Sequence, residues 1–207
     1  MKHQLKNFWM ASSDKLVIIK YNAGNIQSVL YALERLGHQA RVTDDPEEIK
    51  SADKIIFPGV GEASSAMKYL KERNIDLLIR ELKQPVLGIC LGMQLMCLHS
   101  EENDTECLGI FETQVRKFQN AGLKVPQIGW NQLSQLKGPI FEGIDENCFC
   151  YFVHSYYAGI CDQTVGKTEY GNLFSSALSH DNYFGVQFHP EKSAETGQRV
   201  LENFLKI

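Results

Sequence analysis

Short apolar runs bounded by turn residues divide the first half of the chain into alternating strands and helices. The segments 16–21, 54–57 and 85–89 are nearly continuous apolar runs, which is typical of buried strands. Apolar residues recur at helical spacing in 26–36 and in the region from 62 to about 82. Strands that alternate with helices indicate parallel β-α-β units in a doubly wound sheet.

Turn-forming residues mark where these elements begin and end. Asn25 is placed to cap the first helix, and Gly37 supplies its stop. A further strand is predicted at 39–42, and the long helical region is expected to break near Asn74. A new helix is predicted to begin in the segment from Gly92 to His99, after the apolar run that ends at residue 89.

The second half of the chain has a different pattern, with strands joined by turns and one closing helix. The fold class predicted is therefore α/β, with three layers: a mostly parallel, open central sheet flanked by helices, and a smaller antiparallel β portion in the C-terminal half. Residues 16–207 are expected to form a single domain, and residues 1–15 a flexible extension or an addition to the natural chain. The later strands are predicted at 111–118, 148–157, 165–170, 173–178 and 183–188, and the helix at 193–205, with Val200, Leu201 and Phe204 facing inward.

Composition narrows the classes of function. The 207 residues carry a net charge of −4 without a basic stripe, which disfavours nucleic-acid binding and favours a small-molecule substrate. No run approaches the roughly 20 apolar residues of a membrane span, and the first 15 residues lack a secretory apolar region. Six cysteines without a C-x-x-C pair argue against a zinc site or a redox pair. A reduced, cytoplasmic protein is expected.

Cys90 is the sharpest chemical signal. It stands in Gly88-Ile89-Cys90-Leu91-Gly92, at the junction of a buried strand and a helix, which is the pattern of a nucleophile elbow. Small residues on both sides allow the sharp turn that exposes the central side chain. The helix N-terminus favours a thiolate and offers free N–H groups to an oxyanion. The alternative is an inert, buried cysteine in a glycine-rich turn.

A nucleophilic cysteine needs a base, and His189 is the preferred histidine. It ends a predicted strand and precedes Pro190 and Glu191. If the segment stays extended, residues 189 and 191 point to the same side, so Glu191 can orient the imidazole while its other nitrogen faces Cys90. The alternative for this motif is a plain turn with a solvated Glu191. His154 is the rival base, although a packed or pocket-lining histidine is the simpler interpretation.

The loop Pro58-Gly59-Val60-Gly61 follows a predicted strand at the carboxyl edge of the sheet, where ligands bind in open α/β folds. Its glycines let backbone N–H groups approach an anion, so a second oxyanion donor beside Cys90 is the useful interpretation. A plain turn is the alternative. The loop lacks the Gly-Lys-Ser/Thr of a nucleotide-binding P-loop, so nucleotide binding is unsupported.

Two motifs about 100 residues apart resemble those of the class I (triad) glutamine amidotransferases. They are Pro-Val-Leu-Gly-Ile-Cys-Leu-Gly-Met-Gln at 85–94 and Gln-Phe-His-Pro-Glu at 187–191. Within that group, the segments 22–25, 58–61, 126–131 and 151–156 resemble the glutaminase subunits of imidazole glycerol phosphate synthase. The resemblance spans about residues 16–207. The chain departs from it at Lys20-Tyr21-Asn22, where the family usually has Asp-Tyr-Gly.

The resemblance implies a role for each matching position, and no metal or organic cofactor. Cys90 attacks the glutamine carboxamide, His189 shuttles the proton and Glu191 orients His189. The implied oxyanion-hole and pocket residues are Gly59, Val60, Gly61 and Leu91; those that hold the glutamine head group are Gln94, Glu102, Ser155 and Tyr156; those at or near a partner interface are Trp130, Tyr151 and Lys192.

The resemblance also implies a partner, the cyclase subunit, a β/α barrel that forms a heterodimer with the glutaminase. Together they make imidazole glycerol phosphate and an aminoimidazole carboxamide ribotide in histidine biosynthesis. Low basal activity that rises when the partner binds its ligand is expected, because a glutaminase that runs without an acceptor wastes glutamine. Three alternatives stay open: a related subunit that feeds another synthase, for instance in surface-sugar modification; a cysteine peptidase or γ-glutamyl hydrolase; and a non-catalytic module with the same fold.

Overall fold

The computed structural model describes residues 15–21, 24–119 and 122–207. The expectation for residues 1–15 lies outside these ranges except for Lys15, whose backbone N–H donates to Asp53 Oδ2 at 2.7 Å. The strands are β1 (Leu16–Ile19), β2 (Ala40–Thr43), β3 (Lys54–Phe57), β4 (Val86–Ile89), β5 (His99–Ser100), β6 (Thr105–Glu106), β7 (Gln114–Lys117), β8 (Gln127–Gln132), β9 (Phe149–His154), β10 (Tyr156–Ala158), β11 (Thr164–Tyr170), β12 (Asn172–His180) and β13 (Tyr183–Val186). The helices are α1 (Ile26–Arg35), α2 (Pro46–Lys50), α3 (Ala63–Glu72), α4 (Ile75–Glu81), α5 (Leu91–Leu95) and α6 (Ala194–Lys206).

The central sheet changes from parallel to antiparallel pairing along its length. Its first five strands, in the spatial order β2-β1-β3-β4-β13, are all parallel. Beyond β13 the sheet continues through β12, β10 and β7, which pair antiparallel, while β11 pairs with β12. Strands β8 and β9 form a separate antiparallel pair. The predicted fold class, a mostly parallel open sheet with a smaller antiparallel β portion, is confirmed.

Alternate residues of the parallel strands pack into two separate apolar layers. In β1, Val17 and Ile19 pack with α3 and α4, whereas Leu16 and Ile18 pack with α1 and α6. Each fully buried aliphatic side chain of this kind contributes roughly 1.5–3 kcal/mol. The three layers follow from this alternation. The three predicted inward positions of the last helix, Val200, Leu201 and Phe204, are all buried.

Local differences from the sequence prediction have identifiable causes. The break in the long helical region is confirmed, because Asn74 adopts a left-handed backbone with φ 54° between α3 and α4. Helix α2 was not predicted, since its five residues show no apolar period. Asp45 caps it by accepting from the N–H groups of Glu47 and Glu48. Strand β8 was also not predicted. The helix expected in 92–99 ends at Leu95, because the chain turns there and pairs His99 with Gln114 of β7.

The register of the sheet places the two motifs of the sequence side by side. Strand β13 pairs in parallel with β4, and Val186 lies opposite Ile89. The chain therefore leaves both strands at the same carboxyl edge, with Cys90 after one and Gln187–Phe188–His189 after the other. This is the edge at which open α/β sheets bind ligands.

Candidate active site

Cys90 occupies a strained turn between β4 and α5. Its backbone has φ 52° and ψ −108°, a conformation that costs about 1–3 kcal/mol for a residue with a side chain. Its N–H donates to the Val186 carbonyl oxygen at 2.8 Å, which ties the turn to β13. A Cβ on Gly92 would lie 1.8 Å from the Phe57 carbonyl oxygen, and one on Gly88 would lie 2.8 Å from Met93 N. The glycines of the motif are therefore required by close backbone packing.

Two polar atoms lie against the Cys90 sulfur. Gln187 Nε2 donates to Cys90 Sγ at 3.7 Å, and the Val153 carbonyl oxygen lies 3.8 Å from the same sulfur. Gln187 is fully buried. Gln187 belongs to the Gln-Phe-His-Pro-Glu motif, which by itself assigns it no role. Its contact with the sulfur depends on the pairing of β13 with β4, which the local sequence does not reveal.

His189 and Glu191 form a buried hydrogen-bonded pair. His189 Nδ1 donates to Glu191 Oε1 at 2.8 Å, and both side chains are almost completely buried. The expectation that this segment stays extended is wrong, because Pro190–Lys192 forms a 3-10 turn. That turn brings residues 189 and 191 together by curling the chain. The geometry of the pair resembles the base and orienting carboxylate of a triad.

The charge state of His189 depends on its neighbours. Burial lowers its pKa, but the interactions with Cys90 and Glu191 outweigh burial and raise the pKa to about 10. Its Nε2 has no hydrogen-bond partner within the described ranges. An imidazolium beside Cys90 favours the thiolate form of the sulfur, which is the nucleophilic form.

Asn25 also contacts this pair. Its side-chain Nδ2 donates to Glu191 Oε1, the oxygen that accepts from His189. From its place in the sequence, Asn25 was expected to cap α1. It does occupy the N-cap position, with φ 71°, but its side chain makes no capping hydrogen bond. The amide is committed to the carboxylate instead, a contact across 166 positions that local capping rules could not reveal.

A cavity of about 280 Å³ opens beside the Cys90 sulfur. Seven of the residues implied for the oxyanion hole and the glutamine pocket line it together with Cys90. They are Val60, Gly61, Leu91, Gln94, Glu102, Ser155 and Tyr156. The structure thus brings nearly all the sequence-predicted pocket residues to one site.

Gly59 lies next to the cavity, at the base of the glycine loop. Its carbonyl oxygen accepts from the Leu91 N–H at 3.2 Å. The oxyanion donor expected at Leu91 is therefore already engaged in this arrangement. A Cβ on Gly59 would lie 1.9 Å from the Tyr21 hydroxyl, which itself donates to the Pro58 carbonyl oxygen. Only glycine fits between this loop and Tyr21.

Glu102 supplies the carboxylate of the cavity. Its Oε2 accepts from the Ala63 N–H at 2.8 Å, in the first turn of α3. Burial raises the pKa of Glu102, because the charged form loses solvation. The pKa of Tyr156 is raised by burial and by the nearby Glu102 carboxyl. The cavity therefore carries a partly desolvated acidic group that suits a cationic ligand group.

His154 lines the same cavity but is not paired with an acid. Its Nδ1 donates to the Tyr156 carbonyl oxygen at 2.7 Å, and its ring packs 5.2 Å from that of Phe118. Burial lowers its pKa to about 4. A neutral, pocket-lining histidine is the interpretation that this geometry favours.

Strands β8 and β9 carry an exposed apolar face beside the cavity. Trp130 lies opposite Tyr151, with ring centroids 6.0 Å apart, and Ile128 lies opposite Val153. Ile128 and Trp130 are each more than half exposed. Val153 also lines the cavity and contacts the Cys90 sulfur, so this face runs directly into the site. Lys192 is exposed immediately after the buried Glu191.

Within 15–21, 24–119 and 122–207, no group of three or more His, Cys, Asp or Glu side chains is placed to hold a metal ion. No helix in those ranges has the length and apolar character to cross a membrane.

Comparisons with known proteins all point to the same family. Residues 17–207 match the family model described as glutamine amidotransferase class-I. The chain is 55% identical to the imidazole glycerol phosphate synthase subunit HisH of Bacteroides fragilis, over 93% of this chain and all of that protein. It is 44% identical to the subunit of the same name from Idiomarina loihiensis, over 93% and 97% of the two chains. A solved glutamine amidotransferase matches the fold with TM-score 0.71 at 20% identity, over 92% and 97% of the chains.

Proposed function

The chain belongs to the class I glutamine amidotransferases, and on that premise we propose that it is the glutaminase subunit of an imidazole glycerol phosphate synthase. It hydrolyses glutamine to glutamate and ammonia and passes the ammonia to a cyclase subunit. The observation that carries the catalytic part is that His189, held by Glu191, interacts with Cys90 at one edge of the sheet, and that Cys90 lines a cavity there.

The first half of the reaction forms a thioester. The Cys90 thiolate attacks the side-chain carbonyl carbon of glutamine, and its electrons pass to the carbonyl oxygen. When the tetrahedral intermediate collapses, the carbon–nitrogen bond breaks and the His189 imidazolium gives its proton to the leaving nitrogen. Ammonia departs, and a γ-glutamyl thioester on Cys90 remains. Glu191 holds the imidazole in the orientation that this transfer needs.

The second half of the reaction returns the enzyme to its starting state. A water molecule gives a proton to neutral His189 as its oxygen attacks the thioester carbon. The carbon–sulfur bond breaks, glutamate leaves, and the sulfur and the protonated imidazole re-form their ion pair. His189 takes one proton of the water, and the other stays on the γ-carboxyl group of the product until that group ionises in solvent. This cycle uses only the chain's own side chains and backbone groups.

The oxyanion needs N–H donors, each worth roughly 2.7–4 kcal/mol in comparable sites. The Leu91 N–H is the best placed, but it donates to the Gly59 carbonyl oxygen. It becomes available when that carbonyl turns away, a rotation that the glycines at 59 and 61 permit. Rotation at the Gly59–Val60 peptide would also turn the Val60 N–H. Low activity without a partner follows, because the donor is engaged in the resting arrangement.

The pocket residues match the charged head of glutamine. Glu102 offers a carboxylate to the α-ammonium group, and its partial burial strengthens that ion pair. Gln94, Ser155 and Tyr156 line the same cavity and supply hydrogen-bonding groups for the rest of the head group. The volume of about 280 Å³ is sufficient for a free amino acid.

The exposed face of β8 and β9 is the proposed docking surface for the cyclase in a heterodimer. Trp130 and Tyr151 provide aromatic anchors, which dominate many interfaces. The face meets the cavity at Val153, so ammonia released at Cys90 can enter the partner without crossing bulk water. Lys192 adds a charge at this edge. We place this pair of subunits in the cytoplasm, where the free thiol of Cys90 stays reduced.

The proposal is tested by measuring glutamate release under three conditions. These are the chain alone, the chain with the cyclase, and the chain with the cyclase and its ribotide substrate. We expect little release from the chain alone and strong release in the complete mixture. Cys90→Ala should abolish release in all three. Release from γ-glutamyl peptides in preference to glutamine, or equal turnover without the partner, would contradict the proposed function.

A further inference from the structure

A chain of two glutamine side chains connects a backbone carbonyl to the Cys90 sulfur. Gln94 Nε2 donates to the Tyr156 carbonyl oxygen at 2.8 Å and to Gln187 Oε1 at 2.9 Å. Gln187 Nε2 in turn donates to Cys90 Sγ at 3.7 Å. Both glutamines are buried.

The direction of these hydrogen bonds is fixed by the backbone. A carbonyl oxygen can only accept, so Tyr156 requires the NH2 group of Gln94 on its side. That same NH2 group then meets Gln187 and requires an oxygen there. The NH2 group of Gln187 is left facing the sulfur. The donor at Cys90 is therefore set by an atom two side chains away.

We propose that Gln187 is a further catalytic residue, whose N–H stabilises the Cys90 thiolate, and that Gln94 is the positioning residue that keeps this N–H on the sulfur. The inference rests on the proposed function, because it assigns the thiolate as the nucleophile. It adds a direct hydrogen-bond donor to a sulfur whose negative charge also interacts with the His189 imidazolium.

The other close contact of the sulfur explains why such a donor matters. The Val153 carbonyl oxygen, 3.8 Å from Sγ, accepts from a thiol S–H but repels a thiolate. The Gln187 N–H does the reverse, since a hydrogen bond to the charged form favours that form. In a buried site an N–H aimed at a charge is worth more than at a surface. Gln187 therefore offsets the cost that Val153 imposes on the ionised sulfur.

The chain of amides also links the sulfur to the cavity. Gln94 lines the cavity, and both hydrogens of its NH2 group are used inside the protein. Its Oε1 is then the atom left to accept from a bound ligand. A donor bound there polarises the Gln94 amide and strengthens its bond to Gln187. Ligand binding in the cavity and the stability of the Cys90 thiolate are therefore coupled through Gln94 and Gln187.

Alkylation of Cys90 by iodoacetamide tests the inference without substrate. The rate is followed by mass spectrometry of the Cys90 peptide at pH 7, with Cys148 as an internal reference because its half-buried thiol lies in another part of the fold. Gln187→Met removes the donor and should slow Cys90 alkylation about tenfold, the effect of losing one hydrogen bond to a charged group.

Gln187→Glu is the shape-preserving variant. Its carboxylate still accepts from Gln94 but presents oxygen to the sulfur, so alkylation should slow by more than in Gln187→Met. It also keeps the test open if Gln187→Met fails to fold. Ser176→Ala is the matched control, because the Ser176 carbonyl oxygen accepts from the backbone N–H of Gln187 while the buried Ser176 hydroxyl has no partner within the described ranges. This control should alkylate at the wild-type rate.

A double-mutant cycle tests the role of Gln94. Gln94→Met should slow alkylation about threefold on its own and not at all when added to Gln187→Met, because it acts through that residue. Equal alkylation rates in wild type, Gln187→Met and Gln187→Glu would overturn the inference while leaving the proposed function intact. A wild-type Cys90 that reacts no faster than Cys148 would instead count against the proposed function itself.

Discussion

The Asn25 side chain donates to the same oxygen of Glu191 that accepts from His189, so a residue at the start of α1 holds the carboxylate of the candidate triad. Glu191 Oε1 is thereby fixed between two donors. Asn25 adopts a left-handed backbone, φ 71°, which directs the side chain away from a capping position. The contact joins the start of α1 to the 3-10 turn that follows β13.

Removal of this contact should lower turnover without weakening substrate binding. Asn25→Gly keeps the left-handed backbone without strain but removes the amide, so kcat should fall about tenfold, the effect of one lost hydrogen bond to a charged group, with KM nearly unchanged. Asn74→Gly is the matched control, because Asn74 is also a left-handed N-cap without a side-chain capping bond. Steady-state glutaminase kinetics in the complete complex measure both. Equal losses in the two variants would contradict the role of Asn25.

The titration of His189 should respond to both of its partners. Its pKa of about 10 is raised by Cys90 and Glu191 against the effect of burial. Cys90→Ala and Glu191→Gln should each lower the pKa measured by NMR of the imidazole. Because the folded pKa lies above that of the unfolded chain, about 6.5, the interaction stabilises fully below pH 6.5 and is lost as the pH rises towards 10.

The stability difference between wild type and Glu191→Gln should therefore shrink as the pH rises through that window. Equilibrium unfolding at pH 6 and at pH 9.5 measures it. A difference that grows with pH would show that His189 is not held protonated by these contacts.

His154 should give the opposite dependence on pH. Burial lowers its pKa to about 4, so between pH 6.5 and 4 the unfolded chain binds a proton that the folded chain does not. This residue should cost up to about 3 kcal/mol of stability over that interval. His154→Phe removes the loss, and the ring fits among Phe118, Phe152 and Phe174. Identical acid unfolding of His154→Phe and wild type would contradict the assignment of a neutral histidine.

A substitution in the docking surface should affect cyclase binding without changing the reactivity of Cys90. Trp130→Ala should weaken cyclase binding by about 2 kcal/mol or more, as for a buried aromatic anchor. Cys90 alkylation in the isolated chain should stay unchanged. Leu77→Ala is the control, because Leu77 is similarly exposed but lies on α4. Isothermal titration calorimetry measures the affinity, and equal affinities of the two variants would exclude this face.

The close packing of the turn around Cys90 predicts that a substitution at Gly92 lowers the stability of the fold. Gly92→Ala places a methyl group 1.8 Å from the Phe57 carbonyl oxygen. Because that neighbour is backbone in a central strand, the clash should lower the free energy of unfolding by about 1–3 kcal/mol or more. Chemical denaturation measures the loss. An unchanged stability would mean that α5 packs less closely on β3 than the structure describes.

The sequence predicted those parts of the fold that are encoded locally. Apolar runs located β1, β3 and β4, and the glycines around Cys90 indicated the elbow. Helix α2 was missed because it is marked by a capping residue, Asp45, and not by a periodic apolar pattern. Strand β8 carries polar residues and glycine where a buried strand has apolar ones.

The contacts of the candidate site were harder to predict than its members. The pairing of His189 with Glu191 was expected from an extended segment, whereas a 3-10 turn produces it. The roles of Asn25 and Gln187 depend on side chains that meet across 166 and 97 positions. Such meetings follow from strand order, which the local pattern does not determine. The engaged Leu91 N–H likewise depends on the conformation of a distant loop.

The central claim is that the Cys90 sulfur becomes covalently bonded to the substrate. The complete complex is mixed with glutamine, quenched in acid within one turnover, and digested for mass spectrometry. We expect a γ-glutamyl group, attached as a thioester, on the peptide that contains Cys90, and no thioester on the corresponding peptide of Cys90→Ser. Glutamate release without any adduct on that peptide, together with full activity of Cys90→Ala, would rule out a covalent step at Cys90.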